Sequence, residues 1–300
     1  MVETMDAAMI TGPRVPVMPP PAGAVRPRLA MERVGLAERA LTDCGICQHR
    51  CGANRLAGPA GRCGAGADPH IFSSQVEVGD EWEIIPAYAV ALSGCSMRCA
   101  FCITGDESWH PRRGQRLEAA TVADWAAAAI ADGRAQSLLV LGGEPTIHLP
   151  WLLRLVAAMP EKARLVLKTN GLSTDSARVL LEGLFDVWIV DFKFGNDGCA
   201  WRLSRTADYT GAVRETLLWG ARHTDLIIRH LLMPGHVECC WRQAAAWIAS
   251  HLPGVKVSLR SGYWPAWRAS LHNGLNRPLS SPEQAAALET ARHFNLRLVP

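Results

Sequence analysis

The sequence lacks the features that would place it among membrane, exported or nucleic-acid-binding proteins. It has no run of about eighteen or more apolar residues, so no transmembrane helix is predicted. Residues 1–28 contain no continuous apolar stretch of the kind that a secretory signal requires. The formal net charge is only +3 over 300 residues, and the arginines are scattered. A basic nucleic-acid-binding surface is therefore not predicted, and neither is a membrane partner.

The sequence does contain enough apolar material for a large core, together with many cysteines. Apolar residues make up 49% of the chain, which predicts one large domain with at most a small appendage. The 10 cysteines occur without an export signal, so we interpret their close spacings as metal ligation rather than a disulfide framework. A reducing, cytoplasmic location is the resulting expectation.

Changes in composition divide the chain into four predicted segments. The first is a disordered, proline-rich arm. A cysteine-rich metal module, an α/β core and a C-terminal extension with one helix follow. Their predicted bounds are residues 1–35 for the arm, 36–80 for the module, 81–262 for the core and 263–300 for the extension.

Short apolar runs alternate with longer helical patterns in the core. The six predicted strands cover residues 87–93, 137–141, 164–169, 187–191, 226–232 and 255–259. This alternation predicts parallel β/α units, which suit a partial barrel as well as a doubly wound sheet. In both folds functional side chains lie at the carboxyl ends of the strands, and polar candidates follow several of these runs.

Three cysteines lie close together directly after the first predicted strand of the core. Cys95, Cys99 and Cys102 would provide three thiolates from one loop. Three such ligands can hold three irons of a [4Fe–4S] cluster and leave the fourth iron open. A zinc loop that lacks its fourth ligand is the alternative, and the spacing favours the cluster.

The spacing Cys-x3-Cys-x2-Cys after a first strand resembles the signature of the radical S-adenosylmethionine (SAM) superfamily. The resemblance implies a partial (β/α)6 TIM-type barrel with parallel strands, preceded here by the small cysteine-rich module. It implies that SAM binds the open iron and is cleaved reductively to a 5′-deoxyadenosyl radical, which abstracts a hydrogen atom from a substrate. A reductase such as flavodoxin or ferredoxin would donate the electron.

Four further segments resemble SAM-binding motifs of this superfamily and of its glycyl-radical activating enzymes. They are Gly142-Gly143-Glu144-Pro145, Lys168-Thr169-Asn170-Gly171, Asp191-Phe192-Lys193 and the stretch from Arg229 to Gly235. The residues that the resemblance places against SAM are Phe101, Gly142, Gly143, Glu144, Lys168, Asn170, Asp191, Lys193 and His230.

One departure from the family pattern and two catalytic candidates are specific to this chain. Lys168 stands where those activating enzymes carry a carboxylate that helps to bind a monovalent cation. We hypothesise that its ammonium takes the place of that cation against the SAM carboxylate. Lys193 and Cys199 are the catalytic candidates, and Cys199 would return a hydrogen atom to a substrate radical.

A second cysteine group precedes the core. Cys44, Cys47, Cys51 and Cys63 form a four-thiolate set that suits either a structural zinc ion or a second [4Fe–4S] cluster, with a slight preference for zinc. His49 is a candidate substitute ligand. The order of module and core resembles proteins similar to pyruvate formate-lyase activating enzymes.

The remaining cysteines and the substrate are less well defined by sequence. Cys199, Cys239 and Cys240 show no metal-binding spacing, and the last two are interpreted as neighbouring helix residues. The substrate is expected to be a small molecule, a protein or a peptide. Activation of a glycyl-radical enzyme is one alternative, and a non-catalytic zinc protein is another. An RNA-modifying enzyme is disfavoured by the lack of a basic patch.

Overall fold

The computed structural model describes residues 26–300, and its central feature is a single sheet of eight strands that pair in chain order. β1 runs antiparallel to β2, and all later neighbours are parallel. The strands are β1 (Ile71–Glu77), β2 (Ala87–Leu92), β3 (Ser137–Gly142), β4 (Leu165–Thr169), β5 (Val187–Asp191), β6 (Asp225–Leu231), β7 (Lys256–Arg260) and β8 (Arg297–Leu298).

Helices flank the sheet, and those that follow β2 lie on the connections between parallel strands. They are α1 (Arg26–Arg39), α2 (Gly105–Trp109), α3 (Ala119–Ala131), α4 (Leu149–Ala158), α5 (Asp175–Leu181), α6 (Asp197–Ser204), α7 (Tyr209–His223), α8 (Gln243–His251) and α9 (Ser281–His293). Two 3₁₀ turns cover Pro145–His148 and Ala269–Leu271, and a π-helical turn covers Val237–Arg242. No helix within residues 26–300 is long and apolar enough to cross a membrane.

The six predicted strands correspond to β2–β7, and the predicted partial barrel is confirmed. Successive side chains of a strand point to opposite faces, so each strand supplies both an inner and an outer layer. The inner layer is a compact apolar cluster made of Ile84, Ala87, Ala89, Leu139, Val166, Val187, Ile189 and Ile227. The outer layer packs against the helices in one large core.

The prediction of a disordered arm is wrong over residues 26–35, because α1 covers these residues. This helix packs against α4 and α5. Its buried residues Leu29, Ala30, Val34 and Ala37 lie on one face at helical spacing, which ties the segment to the core. The rest of the predicted arm, residues 1–25, lies outside the described residues.

β1 was not expected, and it belongs to the sheet of the core rather than to a separate module. Its residues pair with β2 from Ile71↔Leu92 to Glu77↔Ala87. The segment alternates without a continuous apolar run and is mostly half-buried, so periodicity gave little signal. The other predicted segment boundaries stay predictions.

Candidate active site

The loop that carries Cys95, Cys99 and Cys102 begins where β2 ends, at the carboxyl edge of the sheet. α6 supports this loop through two backbone hydrogen bonds. Arg98 N donates to Ser204 O at 3.0 Å, and Ala100 N donates to Leu203 O at 2.8 Å. Cys95 and Cys99 are buried, whereas Cys102 is half-buried. The three thiols therefore lie at the carboxyl edge of the sheet and not on the outer surface of the barrel.

The thiols fit a metal cluster better than they fit a single ion or an empty loop. Burial raises the pKa of Cys95 well above its usual value, and the nearby Glu144 carboxylate raises it further. Burial raises the pKa of Cys99 to about 12, although the Lys193 ammonium opposes this. Such thiols ionise only when a metal replaces their protons. Within residues 26–300 the one cysteine-containing group with all ligand atoms inside 4.8 Å lies elsewhere, so these three sulfurs suit a wider cluster.

Two glycines at the end of β3 allow the strand to lie directly against this loop. Gly143 N donates to Leu92 O at 2.7 Å, and Glu144 N donates to Gly94 O at 2.9 Å. A Cβ atom on Gly143 would lie 2.1 Å from Gly94 O, which no side chain tolerates. Gly142 has a φ of +119° and equally little room beside Leu92. The motif is thus a close backbone approach between two strand ends.

The Glu144 carboxylate joins the end of β3 to the end of β4. Its Oε1 accepts from Thr146 N at 3.0 Å, Thr146 Oγ1 at 2.7 Å and Thr169 Oγ1 at 2.8 Å. Its Oε2 accepts from Asn170 N at 2.7 Å. Burial raises the pKa of Glu144 even though these hydrogen bonds lower it. In the structure Glu144 holds the ends of β3 and β4 together. Its contact with SAM, which the resemblance implies, stays a prediction.

Asn170 reaches from β4 to the cysteine loop. Its Nδ2 donates to Ser96 Oγ at 3.0 Å and lies 3.6 Å from Cys95 Sγ. Its Oδ1 accepts from Leu172 N at 3.1 Å, which fixes the orientation of the amide. The segment that resembles a SAM-binding motif is therefore in direct contact with the cysteine loop.

Asp191 and Lys193 form an ion pair at the end of β5, close to Cys99. Burial alone would lower the pKa of Lys193, but Asp191 and Cys99 raise it above its usual value. Burial alone would raise the pKa of Asp191, but Lys193 and Arg229 lower it below its usual value. Tyr209 Oη accepts from Lys193 N at 2.7 Å and holds the turn between the two residues. Both side chains are thus charged beside the cysteines.

Lys168 has a partner that the sequence did not suggest. Its Nζ lies 2.8 and 2.6 Å from the two carboxylate oxygens of Asp80 and 3.9 Å from Glu81 Oε2. The ammonium is therefore paired with residues that precede β2. The hypothesis that Lys168 takes the place of a cation stays a prediction. In that role the SAM carboxylate would share the Lys168 ammonium with the Asp80 carboxylate.

Asp80 and Glu81 are site residues that sequence reasoning missed. Glu81 is 1% exposed at its side chain, and its Oε1 lies 3.1 Å from Arg229 Nε and 3.0 Å from Ser258 Oγ. Burial raises the pKa of Glu81, and its hydrogen bond with Asp80 adds to the rise. The cations Lys168, Lys193 and Arg229 thus pair with the carboxylates Asp80, Glu81 and Asp191 inside the barrel.

His230 and Phe101 lie near the same edge but in apolar surroundings. His230 Nδ1 lies 2.5 Å from Phe192 O, and its ring centroid is 4.9 Å from that of Trp241. Burial lowers the pKa of His230 to about 4, so its ring is neutral. The Phe101 ring meets Phe194 edge-on at 6.0 Å. Contacts of His230 and Phe101 with SAM stay predictions.

The upstream cysteines dock against this site. Cys47 forms an antiparallel bridge with Ser173, just beyond Asn170. His49 Nε2 lies 2.9 Å from Ser96 O on the cysteine loop, and the role of His49 as a substitute ligand stays a prediction. Arg98 Nη2 donates to Arg62 O at 2.8 Å. The upstream group and the cysteine loop therefore share direct contacts.

Cys199, Cys239 and Cys240 show no metal-binding spacing along the sequence, but the fold brings them together. Together with His236 they form a group whose ligand atoms all lie within 4.8 Å of one another. No sequence motif connects the three cysteines, because Cys199 follows β5 whereas Cys239 and Cys240 follow β6. The predicted hydrogen-atom transfer from Cys199 stays a prediction.

Comparison with known proteins gives both a family and a fold. The family model of the radical SAM superfamily matches residues 90–248, which contain all three loop cysteines and the segments described above. An uncharacterised protein of Methanocaldococcus jannaschii is 30% identical over 291 residues, covering 92% of this chain and 82% of the relative.

Solved structures share the fold at low sequence identity. SuiB of Streptococcus suis bound to S-adenosylmethionine has a TM-score of 0.50 at 15% identity, over 68% of this chain and 47% of SuiB. A radical SAM methyltransferase of Sphaerobacter thermophilus has a TM-score of 0.51 at 18% identity, over 72% of this chain and 66% of the other. The chain thus spans about half the length of SuiB.

These findings agree with the donor set at the strand ends. The superfamily carries a [4Fe–4S] cluster and SAM, and both are cofactors of this chain. The alternative of a non-catalytic zinc protein is not supported, because the family is one of enzymes. This chain is therefore an enzyme that belongs to the radical SAM superfamily.

Proposed function

We propose that this enzyme binds SAM at the carboxyl ends of β3–β6 and abstracts a hydrogen atom from a small molecule or a peptide. The observation that carries the proposal is the convergence of three strand ends on the cysteine loop, through Gly143, Asn170 and Lys193. Bound there, the cluster and SAM would supply a 5′-deoxyadenosyl radical by reductive cleavage.

The residues around the loop would orient SAM by charge. Cys95, Cys99 and Cys102 would hold the cluster. The Lys193 ammonium and the Arg229 guanidinium lie beside the cysteine loop and suit the SAM carboxylate by charge. Glu144 Oε2 accepts one hydrogen bond and so keeps capacity for the SAM ammonium, which supports the implied contact. Opposite charges on the two sides would fix the direction of the amino-acid part of SAM.

Aromatic rings would keep water away from the reacting atoms. Phe101 and Phe194 are buried, and Tyr263 lies 6.4 Å from Phe101, centroid to centroid. Tyr263 follows β7, so the C-terminal segment helps to cover the cysteine loop. Arg268 N also donates to Ala100 O at 2.8 Å. Exclusion of water protects a reactive radical from side reactions.

Reductive cleavage of SAM is tested with the full chain under anaerobic conditions. The reconstituted protein is mixed with SAM and a chemical reductant, and 5′-deoxyadenosine is measured by chromatography with mass detection. The wild type is expected to form it, whereas the variant Cys95→Ala/Cys99→Ala/Cys102→Ala is not. Equal amounts from both proteins, or none from an iron-loaded wild type, would contradict the proposal.

For the upstream cysteines we favour a second [4Fe–4S] cluster that relays electrons to the first. Cys44, Cys47, Cys51 and Cys63 are not the group whose atoms lie within the spacing of one ion. Cys51 is exposed, and the module contacts the cysteine loop through His49 and Arg98. An exposed cysteine on one side and a contact with the cysteine loop on the other suit the transfer of electrons from a reductase such as flavodoxin or ferredoxin. About eight irons per chain support it, and four irons with zinc at these cysteines would contradict it.

The substrate class is tested by its effect on the same product. SuiB is also known bound to its precursor peptide SuiA, which makes a peptide one class to assay. A true substrate should increase the formation of 5′-deoxyadenosine. It should also lose a hydrogen atom, which a deuterium label on the substrate would follow. If a glycyl-radical enzyme is the substrate, incubation should produce its glycyl radical, detected by electron paramagnetic resonance. The free cysteines of the chain suit the reducing cytoplasm, which we propose as its location.

A further inference from the structure

Four side chains that no motif connects meet between α6 and the π-helical turn. Cys199 Sγ lies 3.8 Å from Cys239 Sγ, which lies 4.0 Å from Cys240 Sγ. His236 Nδ1 lies 3.3 Å from Cys239 Sγ and 3.6 Å from Cys240 Sγ. All four ligand atoms lie within 4.8 Å of one another, and three of the four residues are buried.

These distances match the edges of a tetrahedron around one metal ion. Zinc lies about 2.3 Å from thiolate sulfur and about 2.0–2.1 Å from histidine nitrogen. In a regular tetrahedron these bonds place two sulfurs about 3.8 Å apart and a sulfur and a nitrogen about 3.6 Å apart. We infer that Cys199, His236, Cys239 and Cys240 form a Cys3His site for a single structural zinc ion.

The local backbone is built to bring these residues together. A π-helical turn widens the helix at Val237–Arg242, and it allows both neighbouring cysteines to reach the same side as His236. The backbone just before α6 lies close to the π-helical turn, since a Cβ on Gly195 would lie 2.3 Å from Cys240 O. Asn196 caps α6 by accepting from Cys199 N at 2.8 Å, and its Nδ2 donates to Cys239 O at 2.6 Å.

Neighbouring donors match the charge that such a site would carry. Three thiolates and a neutral imidazole around Zn²⁺ leave one net negative charge, and three protons leave when the ion binds. Arg202 Nη2 lies 3.4 Å from Cys199 Sγ and offers the compensating positive charge. Asn196 Nδ2 lies 3.4 Å from the same sulfur. Such outer hydrogen bonds orient ligands and raise metal affinity.

A single zinc ion suits this group better than other metals. Soft sulfur ligands with one imidazole in a closed tetrahedron are typical of structural zinc. A cubane cluster holds its cysteines on separate irons and needs them farther apart than the ligands of one ion. The four ligands also leave no open coordination position, so the site would be structural rather than catalytic.

The position of the site gives it a mechanical link to the cysteine loop. Cys199 lies in the first turn of α6, and Leu203 and Ser204 lie in its last turn. The carbonyl groups of the latter two accept from Ala100 N and Arg98 N, on either side of Cys99. Zinc at one end of α6 would therefore fix the helix that supports the cluster loop at its other end.

The test measures zinc and iron per chain in the full-length protein, purified without oxygen from zinc-supplemented medium. Wild type is compared with Cys239→Ala and with Cys51→Ala as the matched control in the upstream group. Cys239→Ala is expected to lose about one zinc per chain while keeping its iron. Cys51→Ala should keep that zinc. A wild type without zinc, or an unchanged zinc content in Cys239→Ala, would overturn the inference.

A second measurement needs no variant, so it decides the question even if Cys239→Ala fails to fold. X-ray absorption at the zinc edge of the wild type should show sulfur together with the outer scattering of an imidazole ring. Zinc surrounded by sulfur alone would place the ion at the upstream cysteines and overturn the inference. Neither result depends on SAM cleavage, so failure here and failure of the proposed reaction are distinguishable.

Discussion

The two cysteine groups of the core differ in how the chain brings them together. Cys95, Cys99 and Cys102 follow one another on a single loop, so their proximity is fixed by the covalent chain. Cys199 and Cys239 are 40 residues apart and meet only because α6 and the π-helical turn follow adjacent strands, β5 and β6. A local group leaves a motif in the sequence, whereas a group assembled by the sheet does not.

The geometry of the two groups differs in the same way. The second group has the tight spacing of one tetrahedral ion, and the first does not. The first lies beside the charged residues of the barrel interior, and the second lies beside Arg202 and Asn196 on α6. One group is placed for chemistry on a bound ligand and the other for holding a helix.

The largest expected effect comes from removing the first group alone. Cys95→Ala/Cys99→Ala/Cys102→Ala should abolish 5′-deoxyadenosine formation and lower iron by about four atoms per chain. Zinc should stay, because none of the three residues belongs to the second group. Iron and zinc analysis together checks this, and loss of both metals would mean that the two groups are not independent.

The geometry of the cysteine loop can also be disturbed without changing any of its three cysteines. Gly143→Ala would place a methyl group 2.1 Å from Gly94 O, so the end of β3 would have to move away from the cysteine loop. We expect most of the iron and SAM cleavage to be lost, with a cost in stability of about 1–3 kcal/mol. Gly262→Ala is the control, since its Cβ would meet nothing within 4 Å. Iron-loaded, active Gly143→Ala would contradict the close-approach interpretation.

A charge change should separate SAM binding from cluster binding. Lys193→Met removes the cation beside Asp191 and Cys99, and a hydrogen bond to a charged group contributes about 1.5–3 kcal/mol. Affinity for SAM should fall about tenfold to a hundredfold while iron is retained. Lys256→Met is a matched control, because Lys256 pairs with Glu83 and Asp225 at the amino ends of the strands. Equal affinities of both variants would argue against Lys193 as a SAM contact.

A milder change should affect the second group alone. Arg202→Met removes the positive charge 3.4 Å from Cys199 Sγ. Such outer partners typically change metal affinity by about 10–100-fold, and we expect about tenfold weaker zinc retention against a chelator. Arg222→Met, in the last turn of α7 and exposed, serves as the control. Faster zinc loss from both variants would show a general charge effect instead.

The last effect concerns pH and the support of the first group. His148 Nε2 lies 2.9 Å from Ser93 O, just before Cys95. Burial, aided by Arg55, lowers the pKa of His148 from 6.5 to about 3. The unfolded chain therefore binds the proton first, and the contribution to stability is complete above pH 6.5 and lost as pH falls towards 3. The slope is at most about 1.4 kcal/mol per pH unit.

The measurement is the free energy of unfolding between pH 7 and pH 4.5. His148→Gln should show a flatter pH dependence than the wild type, because the titrating group is gone. His251→Gln, an exposed histidine at the end of α8, should keep the wild-type slope. A wild-type slope in His148→Gln would mean that other groups cause the acid sensitivity.

Much of the fold followed from patterns that act over short distances. The apolar runs of β2–β7 were long enough to predict all six parallel strands and the partial barrel. β1 was missed because its residues are half-buried and partly polar. α1 was placed partly in a disordered arm because prolines precede it, although its apolar face packs on α4 and α5.

The candidate site shows the same division. Cys95, Gly143, Asn170 and Lys193 were predicted from local motifs, and the structure brings them to one edge of the sheet. The pairing of Lys168 with Asp80 was not predictable, because it joins β4 to a segment that precedes β2. No spacing rule connects residues whose contact depends on the curvature of the sheet.

The sequence by itself determined the chemistry of the cysteine loop and the parallel strands beneath it, because both depend on neighbours along the chain. Only the tertiary structure decided which charges face each other inside the barrel and that Cys199 meets His236, Cys239 and Cys240. The physical reason is that adjacent strand ends meet at one edge only after the sheet has formed, so distant side chains become ligands of the same site.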